Sequence, residues 1–407
     1  MDGTASSKFN VGGIQLDRPF KIRRLGHFGF NVRDIKACSF FYIDLLGFNI
    51  SDPLDFGRRI EDDAVRDGFD STVGYFMRHG SDHHSFVLFP KPVLDYMGGR
   101  SARPDVTINQ ITWQVGSLRE VTSAEEFLRT LDNPIRRSGR DTPGSNWHVY
   151  PFDPDGHINE LYYGIEQIGW DGSSKPDVFR KRGFQQTPDL PQISEYDEVE
   201  DALKQGADLG SGYRHVSSLE AKYDVGGILL PRPFKVVRIG PVRLFVDDVD
   251  AALMFYRDRM GMAVTEEVTW NGHRCVFLRV NTEHHSMALY PMALREDLGL
   301  SPHTTCLSFG MQVGDYGQLR DAVSFLGDKG TEIKYLPPEL SPGIDYSAFA
   351  LDPDGHAIQL YYYMEQIGWD GKPCPVDQRP DIGSEWPEAV DPRSDSFAGE
   401  PFLGPLG

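Results

Sequence analysis

FDPDGHINELYYGIEQIGWDG at 152–172 and LDPDGHAIQLYYYMEQIGWDG at 351–371 are almost one segment written twice. Two further pairs flank it: KFNVGGIQLDRPFKIRRLG (8–26) with KYDVGGILLPRPFKVVRIG (222–240), and SDHHSFVLFP (81–90) with TEHHSMALYP (282–291). Self-similarity over such a distance means that each half of the chain is a whole domain. The separation between copies shrinks along the chain, so the first half carries extra loop, placed around DPLDFGRRIEDDAVRDGFD (52–70). In each half Asp-Pro-Asp-Gly is a turn that feeds a short strand, INELYY or AIQLYY. Within the repeat Glu160 in one copy faces Gln359 in the other, and the strand loses its carboxylate.

Hydrophobic periodicity divides each half further. HFGFNV (27–32) reads as a strand, and DIKACSFFYIDLLG follows with Ile35, Cys38, Tyr42 and Leu46 at helical spacing before a stop at Gly47. DVDAALMFYRDRMG repeats the stripe with Val249, Ala252, Tyr256 and Met260, ending at Gly261. A second strand, NQITWQV (109–115), leads to a helix at TSAEEFLRTL, where Ser123 and Glu126 have capping-box spacing, and CLSFGMQV (306–313) leads to YGQLRDAVSFLG. Each half thus repeats strand, helix and three strands. The fold class is α+β, with two homologous domains, 20–172 and 222–372, each made of two βαβββ modules. The polar, proline-punctuated segment 173–221 is expected to be a linker with a short helix near EYDEVEDALKQ. The tail, 373–407, is expected to wrap the surface or be partly disordered.

Composition narrows the partners. With 41 basic and 60 acidic residues the chain has a formal charge of -19, which repels nucleic acid and anionic membranes. No stretch approaches the ~18 apolar residues of a membrane span, and MDGTASSKFN (1–10) has no basic-then-apolar signal pattern. Four scattered cysteines form no CxxC pair and suit a reducing compartment, so the expected location is cytoplasmic.

GHFGFNV, DHHSFVLFP and DPDGHINEL, set in paired βαβββ modules over 20–165 and 234–365, resemble the vicinal oxygen chelate superfamily of glyoxalases, bleomycin-resistance proteins and extradiol dioxygenases. The four-module length is similar to that of its two-domain type I extradiol enzymes. The resemblance implies that two modules curl into an open, cup-like barrel, with metal ligands on the first strand of each module and on the last strand of the second. Carried onto this sequence, those positions are His27, Gln110, where the resemblance to a ring-cleaving dioxygenase implies a second histidine, and Glu160. Their counterparts in the second half are Pro241, Ser308 and Gln359, a joint loss that puts the metal in the first domain only. Typical extradiol enzymes are the mirror case, with the metal in the second domain.

The resemblance further implies an acid–base role for His84 and a substrate-contacting phenol at Tyr150, where the second half has Phe349. The second half nevertheless keeps a His284-His285 pair, so the motif alone does not imply catalysis. His83 or His84 could instead be a ligand, and His148, alternating with Tyr150, could back a ligand from behind or form part of the pocket wall. His157 and His356 in DPDGH read as structural. Trp170 and Trp369 in EQIGWDG are expected to anchor a sheet edge, with cup-covering or dimer contacts as alternatives.

The leading expectation is therefore an Fe(II)-dependent extradiol-type dioxygenase acting on a catechol-like aromatic and dioxygen, with Mn(II), Zn(II), Ni(II) or Co(II) as other candidate metals. Two alternatives stand beside it: a metal-dependent isomerase, epimerase or lyase of the glyoxalase type, and a metal-free sequestering protein. Exposed sheet edges make a homo-oligomer, a dimer or larger, the expected assembly.

Overall fold

A computed structural model describes residues 8–99, 103–141, 143–189, 191–368, 370–380, 382 and 385–391. The first domain contributes β1 (Arg24–Val32), β2 (Asn49–Asp55), β3 (Val73–Arg78), β4 (Phe86–Pro90), β5 (Ile108–Gln114), β6 (Ile135–Arg140), β7 (Trp147–Pro151) and β8 (Asn159–Tyr162). The second repeats them as β9 (Val236–Val246), β10 (Ala263–Trp270), β11 (His273–Arg279), β12 (Met287–Pro291), β13 (Cys306–Val313), β14 (Ile333–Lys334), β15 (Ser347–Leu351) and β16 (Ala357–Tyr361). The strands run in the order β2-β3-β4-β1-β5-β8-β7-β6 in one sheet and β10-β11-β12-β9-β13-β16-β15-β14 in the other. The two orders are the same permutation, and neither sheet closes on itself. The paired βαβββ reading and the open cup are both observed.

Alternation along the first strand explains why it is buried on both faces. Successive side chains point to opposite sides of a strand, so His27 and Gly29 face the cup while Phe28 and Phe30 face the other domain. There Phe28 stacks on Phe309 with ring centroids 4.1 Å apart, and Phe30 stacks on His356 at 3.9 Å. The DPDGH histidines complete the joint. His157 binds Asp153 (2.7 Å) and reaches across to Thr305 Oγ1 (2.8 Å). His356 binds Asp352 (2.9 Å) and reaches back to Thr107 Oγ1 (2.9 Å). Tyr42 donates to Asp352 and Tyr256 to Asp153, again as a symmetric pair. One continuous apolar core spans both domains.

The helical stripes are buried as their spacing requires, but both first-module helices change register. Ile35–Ser39 passes into a π-helix at Phe40–Leu45, and Val249–Leu253 into one at Met254–Arg259. The second-module helix begins earlier than expected. Ser117 caps Leu118–Thr130 by accepting from the Glu120 amide, which places Ser123 and Glu126 inside the helix. Trp170 packs on nothing: its side chain is fully exposed, because the Asp171–Ser173 turn ties the loop through its own hydrogen bonds. Trp369 and residues 392–407 lie outside the described residues.

The segment after each EQIGWDG folds back onto its own domain. Phe184 stacks on Trp147 and its backbone bonds that of Arg140, while Arg180 and Ser174 both bind Asp52. In the second domain Arg379 takes the place of Arg180 and binds Glu266. The expected helix is present at Glu195–Lys204.

Candidate metal centre

The centre of the first cup is built on three adjacent strands, β1, β5 and β8. Thr112 in the middle strand has His27 directly opposite on one side and Glu160 on the other, with Gln110 two residues away on the same face. The side chains converge. His27 Nε2 lies 3.1 Å from Glu160 Oε2, and the Gln110 amide terminus lies 2.9 Å from the first and 3.2 Å from the second. Adjacent ligands of an octahedral ion with bonds of about 2.1 Å are separated by that length times √2, about 3.0 Å. The three side-chain ends therefore form a triangle the size of one octahedral face. Turning the Gln110 amide over puts its oxygen at that corner.

The donor chemistry fits a divalent ion as well. Glu160 is fully buried, and burial alone would raise its pKa; the neighbouring His27, together with His148 and the Thr112 hydroxyl (3.1 Å), outweighs burial and holds the carboxyl below its ordinary value. Glu160 Oε1 and His27 Nδ1 are buried with no protein hydrogen-bond partner. Among the described residues no group of three His, Cys, Asp or Glu side chains is placed to hold a metal ion; the third corner of this triangle is the Gln110 amide.

His84 lines the cavity beside the triangle, its ring centroid 4.3 Å from that of His27. Burial, followed by the neighbouring His27 and His83, pushes its pKa well below the usual value, so the imidazole is neutral near pH 7. The structure turns His83 elsewhere: its Nδ1 meets His84 Nδ1 at 3.0 Å and its Nε2 meets Asp52 at 2.8 Å. Gly144, at φ 94°, backs onto this pair, and a Cβ there would come within 2.3 Å of the His83 ring. His148 is buried behind Glu160, 3.5 Å from Glu160 Oε1 and 3.5 Å from Asp141. Tyr150 projects into the cavity under the Arg137 guanidinium, which sits 4.7 Å from its ring.

The cup encloses about 470 Å³, a volume suited to a small ligand. Its wall is aromatic on several sides, with Phe56, Phe76, Phe89, Phe184 and Tyr150. The sequence pattern named the three side chains of the triangle but not this wall. Phe56 belongs to the extra loop of the first half, which forms a 3-10 turn at Phe56–Arg59 and a helix at Asp63–Asp67. Phe184 belongs to the segment read as a linker. The signal that would have exposed the second was Arg180, which stands as far beyond Glu160 as Arg379 stands beyond Gln359.

A family model described as the glyoxalase/bleomycin resistance protein/dioxygenase superfamily matches residues 24–161 and 238–360. The chain belongs to that superfamily. Similar solved structures include a Mn(II)-bound glyoxalase from Novosphingobium aromaticivorans (TM-score 0.53, 16% identity, covering 86% of this chain and 85% of that one). A halotolerant catechol dioxygenase, BphC, is similar at TM-score 0.53 and 15% identity, covering 87% of this chain and 91% of its own. Homoprotocatechuate 2,3-dioxygenase from Arthrobacter globiformis is similar at TM-score 0.53 and 17% identity, covering 88% and 84%. At such identities the likeness establishes the fold alone. No curated protein matches the chain, and no helix among the described residues is long and apolar enough to cross a membrane.

Buried imidazoles should weaken the fold in acid. Burial pushes the pKa of His79 down to about 4, and that of His285 well below its usual value. A histidine with a depressed folded pKa stabilises the fold above its unfolded pKa of about 6.5 and loses that contribution as the pH falls. The unfolding free energy from urea titration should therefore drop between pH 7 and pH 5, by about 2 kcal/mol for His79, with His285 acting in the same direction. His79→Gln should remove its share of the pH dependence; an unchanged slope would exclude it.

Proposed function

We propose that the protein is a metal-dependent dioxygenase of extradiol type, acting on a catechol-like aromatic in the first-domain cup. The observation that carries this reading is the His27–Gln110–Glu160 triangle opening into an aromatic-walled cavity beside a neutral histidine. Fe(II) suits such a mixed imidazole, carboxamide and carboxylate set, with Mn(II) next. When bound, the ion would draw two vicinal substrate oxygens to one point, acidify their hydroxyls and support reaction with dioxygen.

The chain's own residues do the rest. His27, Gln110 and Glu160 would hold the ion against the sheet, with the cavity before it left to substrate. Phe56, Phe76 and Phe184 surround the ring and exclude water. His84, neutral and adjacent to the triangle, accepts a hydroxyl proton from the substrate and returns it later. Tyr150, held by Arg137, offers a hydrogen bond to oxygen on the substrate face.

Gln110 supports a second reading, an isomerase or lyase of glyoxalase type, because a carboxamide there replaces the imidazole expected of a ring-cleaving enzyme. Anaerobically purified protein separates the two. The dioxygenase should hold about one iron per chain and take up oxygen with at least one member of a broad catechol panel. Stoichiometric metal with no oxygen uptake across the panel would overturn it, and activity with Zn(II) or Ni(II) under argon would establish the second reading. Absence of metal from the protein would favour sequestration.

A further inference from the structure

The second cup has lost every metal-ligand position, yet it is not a plain apolar core. Arg243 stands on β9 where Gly29 stands on β1, and it is fully buried. Its Nε and both Nη atoms have no protein hydrogen-bond partner. The groups coupled to it electrostatically are Tyr290, Tyr361, Cys275 and His285, none of them a carboxylate. A guanidinium in such a place is strongly unfavourable without a counter-charge, because no opposite charge in the protein offsets its desolvation.

The surrounding positions are orphaned with it. Ser308 Oγ, directly opposite Arg243 across the β9–β13 ladder, is buried without a partner. So are His285 Nε2 and Gln359 Oε1. These four side chains occupy the places of Gly29, Gln110, His84 and Glu160, so by strand register they belong to the same face of the second sheet that holds the triangle in the first. His285 Nδ1 faces His284 Nδ1 at 3.1 Å, which leaves its Nε2 to the cup. The Gln359 amide lies 3.3 and 3.1 Å from the Ser341 and Ser347 hydroxyls; turned over, it accepts from them and presents its NH₂ to the cup.

The neighbouring strand is adjusted for the arginine. A Cβ on Gly29 would lie 2.1 Å from Val87 Cγ2. At the matching position beside Arg243 the chain has Ala288, which lacks the γ-carbons. Phe349, where the first cup has Tyr150, puts its ring 6.0 Å from the guanidinium, and Phe277, Tyr290 and Leu340 complete an apolar wall.

We propose that the second cup binds a small monovalent anion, a halide or a short carboxylate, between the Arg243 guanidinium, Ser308 Oγ and His285 Nε2. One negative charge balances one guanidinium. A dianion would leave an excess charge among apolar side chains, and a neutral ligand would leave the arginine uncompensated. The duplicated cup thus exchanges a site for a cation for one that carries a cation and holds an anion.

Long-wavelength anomalous diffraction from crystals of the full chain, purified once in chloride and once in bromide, tests this directly. The expected result is a peak about 3.3 Å from an Arg243 Nη atom and Ser308 Oγ that follows the halide, or planar density without anomalous signal, which identifies the carboxylate source. Density for water alone, or for nothing, overturns the proposal. In solution, sodium chloride or sodium formate should raise Tm saturably, on the order of a few degrees, beyond the effect of equal ionic strength from a bulky anion. Arg243→Met should abolish that increment while leaving the metal content of the first domain unchanged. An increment equal to wild type in the variant overturns the proposal, and should the variant fail to fold, the diffraction result decides.

Discussion

Glu160→Gln should strip the first cup of metal and bring turnover to background, a loss of more than ~100-fold on the scale set by partners of bound ions. The exchange is isosteric, and the protein already contains its outcome: Gln359 occupies the equivalent place on β16, fully buried, in a sheet of the same order. Folding is therefore expected to survive. The variant removes the only carboxylate of the triangle and leaves His27 and Gln110 as two neutral donors, which bind a hard divalent ion poorly. Elemental analysis should show metal below a tenth of the wild-type level, with an unchanged far-UV spectrum. Full metal content in Glu160→Gln would mean that the ion sits elsewhere.

His84→Asn should give the opposite signature. The metal should stay, because His84 is beside the triangle and not part of it, while kcat falls by about 10²–10⁴, the usual range for removing a general acid–base group. Asn keeps a polar side chain in the buried slot between His83 and His27 but cannot carry the proton. Loss of metal together with rate would instead make His84 a ligand, and unchanged kcat would leave it as scaffold, as its counterpart His285 is with respect to metal. Stopped-flow oxygen consumption alongside metal analysis of the same preparation distinguishes these outcomes.

The candidate site was legible because the chain contains its own comparison. Without the second copy, His27 is a histidine in a strand and Glu160 a glutamate after a turn. Set against Pro241 and Gln359, both stand out, and the strand register then places them on one face. Period-2 alternation also gives the buried interdomain face, since Phe28 and Phe30 interleave with His27 and Gly29. What the sequence concealed is contact made at long range by irregular chain. Phe184 reaches the cup through backbone bonds to Arg140, and no local pattern announces that pairing. Phe56 sits in a loop defined only by its absence from the other half. Trp170 shows the converse: a large aromatic in a repeated motif suggests packing, yet the turn is held by Asp171 and the ring is left in solvent.

The joint between the domains has a consequence for how two such different cups can persist in one chain. His157 is completed by Thr305 and His356 by Thr107, so neither copy can finish its own turn. The molecule is in effect a homodimer whose protomers share a single polypeptide. In a dimer of separate chains, any substitution in one cup appears in both. Fusion removes that coupling: the joint continues to require two matched halves, while each cup is free to acquire its own occupant.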